Sequence, residues 1–135
     1  MPNYDLKIKA FAIDIDGTLT ENGNGMIYLP AVSKMRFLEK MGYRVFFVTG
    51  RSCIEAYVLS VFLGLTRVAV GENGGVVAKG PPDYSILGNK ELCSKGYKIL
   101  KQFISNVDIK PVFPRLSEIV LQRTFDINEG KKILR

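Results

Sequence analysis

The sequence predicts an α/β fold built on a parallel sheet. Three observations predict it. Apolar runs at residues 7–14, 43–48 and 67–70 alternate with two stretches of helical spacing. That order, β-α-β-α-β with tight loops, is the pattern of right-handed crossovers between parallel strands. The first two runs each end in a short polar motif with a glycine, Asp14-Ile15-Asp16-Gly17 and Thr49-Gly50-Arg51-Ser52. In such sheets ligands bind beyond the carboxyl ends of the strands, so Asp14, Asp16 and Thr49 are expected to converge there from two independent strands.

Residues 7–14 are the first strand. Phe11, Ala12, Ile13 and Ile15 supply the apolar, partly β-branched run expected of a strand covered on both faces. Asp14 and Asp16 are two residues apart, so in extended backbone both carboxylates project to one side. Gly17 then lets the chain turn. In the loop over residues 17–29, Gly23, Asn24 and Gly25 rule out a regular element. Pro30 suits the first turn of a helix. Val32, Met35, Phe37, Leu38 and Met41 recur at helical spacing, and Gly42 is the stop. Residues 43–48 read as a second buried strand, residues 53–63 as a helix closed by Gly64, and residues 67–70 as a third strand. Gly71-Glu72-Asn73-Gly74-Gly75 leads into residues 76–78. Asn-Gly is the favoured pair for a type I′ hairpin turn. That turn reads either as purely structural or as sitting beside a substrate. Gly80-Pro81-Pro82-Asp83 is a break. Residues 90–105 form an amphipathic helix carrying Leu92, Tyr97, Leu100, Phe103 and Ile104. Pro111 and Pro114 bracket a loop, residues 117–124 read as a strand, and Asp126 or Asn128 caps a final helix from about Glu129.

At 135 residues the chain is long enough for one domain with a real core. Its 47% hydrophobic and 24% charged residues mark it as globular rather than disordered. The net charge of +6 is uneven: residues 1–78 carry 8 Lys/Arg against 7 Asp/Glu, and residues 79–135 carry 11 against 6. A basic second half attracts anionic substrates, although most of these lysines read as solvated surface. No tight basic cluster is interleaved with aromatics, which argues against a nucleic-acid partner. Cys53 and Cys93 are the two cysteines and there is no histidine, which removes His-based triads, makes a zinc site improbable and fits a reduced cytoplasmic protein. The most apolar stretch, residues 56–65, is too short to span a bilayer. Asp5, Lys7 and Lys9 interrupt any signal-peptide core, so no membrane partner is expected.

Two carboxylates at a strand end are costly to bury without a counter-charge. A hard cation such as Mg²⁺ supplies one. Phosphoryl transfer needs an in-line nucleophile, a proton donor for the leaving oxygen and neutralisation of the phosphoryl charge. Asp14 can attack phosphorus to form an aspartyl-phosphate. Asp16 can protonate the leaving group and then take a proton from water. Mg²⁺ would bridge Asp14 and the phosphoryl group. The Thr49 hydroxyl and the N–H groups of Gly50 and Arg51 lie at a helix N-terminus, ready for phosphoryl oxygens. The Arg51 side chain reads equally as an added charge or as a surface arginine.

The order DxDGTLT, VTGRS, GENGG resembles the haloacid dehalogenase (HAD) superfamily, whose first motif has the form DxDGT and most of whose members move phosphoryl groups. It looks most like the branch of phosphoglycolate phosphatases and sucrose-phosphate-phosphatase-like enzymes. The resemblance implies an incomplete HAD-like Rossmannoid core with a parallel sheet over residues 1–80. The start of an α/β cap would follow over residues 81–135. Residues 117–129, with Phe125-Asp126-Ile127, loosely resemble the phosphoglycolate phosphatase cap. By the same resemblance Asp14 is the nucleophile, Asp16 is the acid/base with its carbonyl on Mg²⁺, and Thr49 is the second-motif hydroxyl. Asn73 then lies beside the substrate, a small phosphorylated metabolite such as phosphoglycolate. Family members are longer and return after the cap with a lysine and a GDxxND motif that complete the site. Neither stands in this sequence, and Lys131 and Lys132 fall where the cap helix would be. The expectation is therefore a Mg²⁺-dependent phosphatase that is weak as it stands. The alternative is a non-catalytic phosphate-binding or assembly subunit. A phospho-accepting signalling domain is disfavoured by the cap segment. Without the strand that follows the cap, residues 8–14 become an exposed edge. Either another copy covers that edge, giving a homo-oligomer, or the chain is a piece of a longer protein.

Overall fold

The computed structural model describes residues 7–21 and 25–135; Asp5, and Gly23 and Asn24 of the expected loop, lie outside them. The elements are β1 (Ala10–Ile13), α1 (Leu29–Lys40), β2 (Arg44–Val48), α2 (Cys53–Leu63), β3 (Ala69–Gly71), β4 (Val76–Ala78), β5 (Tyr84–Ile86), α3 (Lys90–Phe103) and α4 (Ile127–Ile133). They build one five-stranded sheet in chain order. β1–β2 and β2–β3 are parallel, and β3–β4 and β4–β5 are antiparallel. The α/β class and the parallel β-α-β-α-β core are as the sequence predicts.

Local chemistry sets the helix ends. Ser52 and Glu55 form a reciprocal capping box at the start of α2, and Gly64 closes it in the left-handed conformation. Pro30 sits in the first turn of α1, and Gly42 follows its end at φ +89°. Val32, Met35 and Leu38 turn α1 onto the core, whereas Phe37 and Met41 of the same run stay exposed.

The expectation that the first strand is covered on both faces is overturned. Two right-handed crossovers that advance in the same direction put α1 and α2 on one face of the sheet. Val45, Phe47 and Ala69 are buried there, with Phe11 and Ile13 packed against them. Ala10, Ala12, Arg44 and Val48 point the other way and are exposed. β1 also ends the sheet, as expected, with no neighbour beyond it among the described residues.

The turn after β3 differs from the expected two-residue type I′ turn. Gly71 pairs with Val76, which leaves residues 72–75 as a four-residue loop. Glu72, Asn73 and Gly74 all have positive φ, at 55°, 55° and 93°. The Asn73 N–H reaches back to the Thr49 carbonyl at 3.3 Å, and the Glu72 side chain turns inward, so tertiary contacts set the turn.

Residues 117–124 do not form the expected strand. An isolated antiparallel bridge joins Ile109 to Leu121. The ladder is confined to the bonds from the Lys110 N–H to the Val120 carbonyl and from the Gln122 N–H to the Asp108 carbonyl, while Ser117 is held elsewhere, its N–H bonded to the Glu72 carboxylate at 2.8 Å. A two-stranded ladder with nothing beside it is marginal in any case. β5 was not foreseen. It is three exposed residues paired on β4, placed just after the Pro81-Pro82 break. α3 and α4 enclose a second cluster around Leu100, Ile104 and Val107. Asp126 caps α4 by accepting the Asn128 N–H at 2.8 Å.

Candidate functional site

The chain leaves extended geometry after Ile13 and wraps around a single carbonyl. The Ile15 C=O accepts the N–H groups of Thr18, Leu19 and Thr20 and the Thr20 hydroxyl. Gly17 stands at φ +78° and donates its N–H to Thr20 Oγ1 at 3.2 Å. Leu19 is buried, which anchors the loop below. Asp14 and Asp16 are thereby left exposed at the carboxyl end of β1. Asp14 Oδ1 accepts the Ile15 N–H at 2.7 Å.

The second motif lies one strand over. Thr49 is buried, and its Oγ1 accepts the Arg51 N–H at 3.2 Å, so these two expected phosphoryl donors engage each other in this arrangement. The Gly50 N–H makes no hydrogen bond to a described residue. The Arg51 guanidinium grips Asp16 through two parallel bonds, Nε to Oδ2 at 2.7 Å and Nη2 to Oδ1 at 2.6 Å, and reaches Glu55 at 3.4 Å. That fork holds the Asp16 carboxyl below the usual carboxylate range, its hydrogen bonds outweighing slight burial. The same pairing raises Arg51. At neutral pH, then, Asp16 is a committed anion.

Asp16, Gly50, Arg51 and Asn73 line one side of a cavity of about 740 Å³. Lys110, Arg115 and Glu118 line the other. Asp14 and Thr49, the remaining site residues expected from sequence, are not among the lining residues.

Sequence reasoning missed the residues that join the two sides. Glu72 is buried to 2% exposure, and its carboxylate accepts the Leu116 N–H at 2.9 Å, the Ser117 N–H at 2.8 Å and the Ser117 hydroxyl at 2.7 Å. Burial pushes its pKa up, but these hydrogen bonds and nearby Arg115 hold it below its ordinary value. Arg115 Nη1 donates to the Gly50 carbonyl at 2.6 Å and to Glu118 Oε1 at 2.9 Å. Glu118 Oε2 in turn accepts Asn73 Nδ2 at 3.1 Å. The signals that could have found them were the glutamate inside GENGG and the cation directly after Pro114.

Mg²⁺ takes hard oxygen donors, keeps several waters and is held by one or two carboxylates plus substrate phosphate. The Asp14 carboxylate is exposed at the strand end, and the Asp16 carbonyl accepts no hydrogen bond from a described residue. With the Asp16 carboxylate tied to Arg51, that pair of oxygens is the donor set that fits such an ion. No group of three or more acidic, cysteine or histidine side chains converges among the described residues.

A family model described as haloacid dehalogenase-like hydrolase matches residues 11–133. The phosphoglycolate phosphatase of Nitrosopumilus maritimus (strain SCM1) is 53% identical over 129 residues, covering 96% of this chain and 56% of that protein. The phosphoglycolate phosphatase of Methanosarcina mazei is 36% identical over 130 residues, covering 96% and 55%. The chain thus spans about half the length of these curated relatives. Among solved structures, Thermoplasma acidophilum 0175 superposes with a TM-score of 0.74 at 24% identity, over 93% of this chain and 55% of that one. A haloacid dehalogenase-like hydrolase from Bacteroides thetaiotaomicron gives 0.63 at 19% identity, over 94% and 49%. Both structures share the fold. No helix among the described residues is long and apolar enough to cross a membrane.

Proposed function

This chain belongs to the haloacid dehalogenase-like hydrolase family, and from that premise we propose that it carries the phosphoryl-transfer site of a Mg²⁺-dependent phosphatase. The substrate is a small phosphorylated metabolite, and the names of the relatives suggest phosphoglycolate. The observation that carries this reading is the gathering of Asp16, Gly50, Arg51 and Asn73 around one cavity at the carboxyl ends of the strands. In this reading residues 1–80 are the core and residues 81–135 the start of a cap. The protein works in the cytoplasm and has neither a nucleic-acid nor a membrane partner.

Asp14 attacks phosphorus with its exposed carboxylate, forming an aspartyl-phosphate and breaking the bond to the leaving oxygen. Asp16 donates the proton that the leaving alcohol needs. It must first be released by Arg51, which happens when the phosphoryl group offers the guanidinium a more highly charged partner, and the freed carboxylate then takes up from solvent the proton it passes to the leaving oxygen. Water then attacks the phosphoenzyme, Asp16 takes its proton, and inorganic phosphate leaves with Asp14 restored. The Gly50 N–H, which has no partner among the described residues, steadies a phosphoryl oxygen, while Thr49 holds the loop that presents it. Asp14 and the Asp16 carbonyl would hold Mg²⁺, which when bound neutralises charge between the carboxylate and the phosphoryl group.

The lysine and GDxxND motif that the family uses are absent from this sequence. Each lost electrostatic partner costs about 10²–10³ in rate, so turnover is expected to be slow. Phosphate release from phosphoglycolate and from an aryl phosphate, with and without Mg²⁺ and beside Asp14→Asn, tests the reading. Slow release that needs both Mg²⁺ and Asp14 is the expected result; release no faster than the variant's overturns it. Two observations favour the second reading, a non-catalytic phosphate-binding or assembly subunit: Asp16 is tied by Arg51, and Asp14 does not line the cavity. Phosphate binding without turnover in the same assay selects it.

A further inference from the structure

Building on the phosphatase reading, we propose that Arg115 reads a carboxylate on the phosphorylated substrate and so selects phosphorylated carboxylic acids over plain phosphomonoesters. Arg115 lines the cavity on the side opposite Asp16, Arg51 and Asn73, and its side chain is only 10% exposed. A guanidinium has five N–H donors in a rigid fork. Here Nη1 is satisfied by the Gly50 carbonyl at 2.6 Å and by Glu118 at 2.9 Å. Nε is buried without a partner among the described residues. Nη2 makes no hydrogen bond to a described residue. The free Nε–Nη2 edge is the same edge by which Arg51 grips the Asp16 carboxylate in two parallel bonds. Buried donors are rarely left unpaired without reason, and this pair matches a planar carboxylate.

Position fixes the kind of molecule. The bond from Nη1 to the Gly50 carbonyl sets the guanidinium beside the loop that takes the phosphoryl group. The two anions of the substrate are therefore joined by a short carbon skeleton. Arg115 is also held in advance, because Glu72 fastens the N–H groups of Leu116 and Ser117, the next two residues, to the core. Glu118 occupies the Nη1 side alone, and Lys110 on the same wall adds the positive charge that offsets it. Nε is shut off from water in this arrangement, so the entering carboxylate must shift the wall over it. The Asn73–Glu118 hydrogen bond, 3.1 Å long and exposed, joins the two sides.

The test is calorimetric binding with Mg²⁺ present, comparing phosphoglycolate with ethyl phosphate, which keeps the phosphoryl ester and lacks the carboxylate. Wild type, Arg115→Lys and Arg115→Gln are measured, each checked for folding by its unfolding midpoint. A charged hydrogen-bonded pair supports a preference of at least about tenfold for phosphoglycolate in wild type. Arg115→Gln should collapse that ratio towards one. Arg115→Lys, which keeps charge but loses the fork, should fall between. A purely structural role would weaken both ligands alike and leave the ratio intact, which overturns the proposal. A wild type that does not distinguish the ligands overturns it too, and needs no variant to fold. If wild type binds neither ligand nor inorganic phosphate, the phosphatase reading falls and this inference falls with it.

Discussion

Glu72 carries the sharpest consequence at the scale of single residues. Its buried carboxylate is the acceptor for two backbone N–H groups and a hydroxyl of the C-terminal segment. Glu72→Ala would orphan all three, at a cost of about 3 kcal/mol or more. Urea unfolding measures it; a loss below about 1 kcal/mol would mean that the segment is not fastened here. The pH dependence has a definite sign. The folded pKa of Glu72 lies below the ordinary glutamate value of about 4.3. Its contribution is therefore full above that value and is lost as pH falls through the lower, folded pKa. Wild-type stability should drop in that acid window, and the drop should be smaller in Glu72→Gln, which has no carboxylate to protonate. Its place inside GENGG was the one local cue, but glutamate is almost never fully buried unless paired, and its partners lie more than forty positions away, so its role could not be read from neighbouring residues. Sequence separation also hid the Arg51–Asp16 pair, 35 residues apart, whose two members the sequence nominated separately.

Elements show where local signals suffice and where they fail. The bounds of α2 were legible at both ends because a capping box and a left-handed glycine are written in adjacent residues. The alternation inside β2 was legible as strand but not as one-faced, since which face is covered depends on where the crossovers run. Residues 117–124 have the β-branched run of a strand, yet only Leu121 pairs, because a two-stranded ladder with nothing beside it is marginal. β3 and α2 meet at a point that no pattern announced. A Cβ on Gly71 would overlap the Cα and N of Cys53, the first residue of α2. Backbone on both sides leaves no flexible neighbour to yield, so Gly71→Ala is expected to cost about 1–3 kcal/mol. Because that contact sets the helix start against the Glu72–Gly74 turn, the substitution should also weaken phosphate binding. Thermal unfolding and phosphate titration of the one variant check both; an unchanged midpoint would mean that the helix can back away freely.

At the scale of the whole molecule, the sheet is finished on one side only. α1 and α2 cover one face, while Ala10, Ala12, Arg44 and Val48 stand exposed on the other, and β1 ends the sheet among the described residues. The Arg44 N–H bonds to the Lys9 carbonyl, so in a parallel ladder the odd residues of β1 face β2. The backbone groups of Ala10 and Ala12 therefore point away from the sheet. An unpaired strand with small apolar side chains and no charge inside it is a template for another strand. The 135-residue chain on its own is accordingly expected to associate through β1, with a second copy pairing along that edge. Sedimentation velocity across a wide concentration range should show a growing dimer. Ala12→Lys, which sets a charge on the uncovered face beside the open edge, should shift it towards monomer. Monomer at every concentration would leave β1 unpaired in solution and overturn the pairing. Association that the lysine does not disturb would place the contact elsewhere, with the apolar stripe of Ile54, Val58 and Phe62 on α2 the next surface to alter. The pairing and the site are connected through one strand, because β1 ends one residue before Asp14. Stiffening its edge holds that carboxylate steadier, so the dimer fraction and the rate of phosphate release should rise together with concentration.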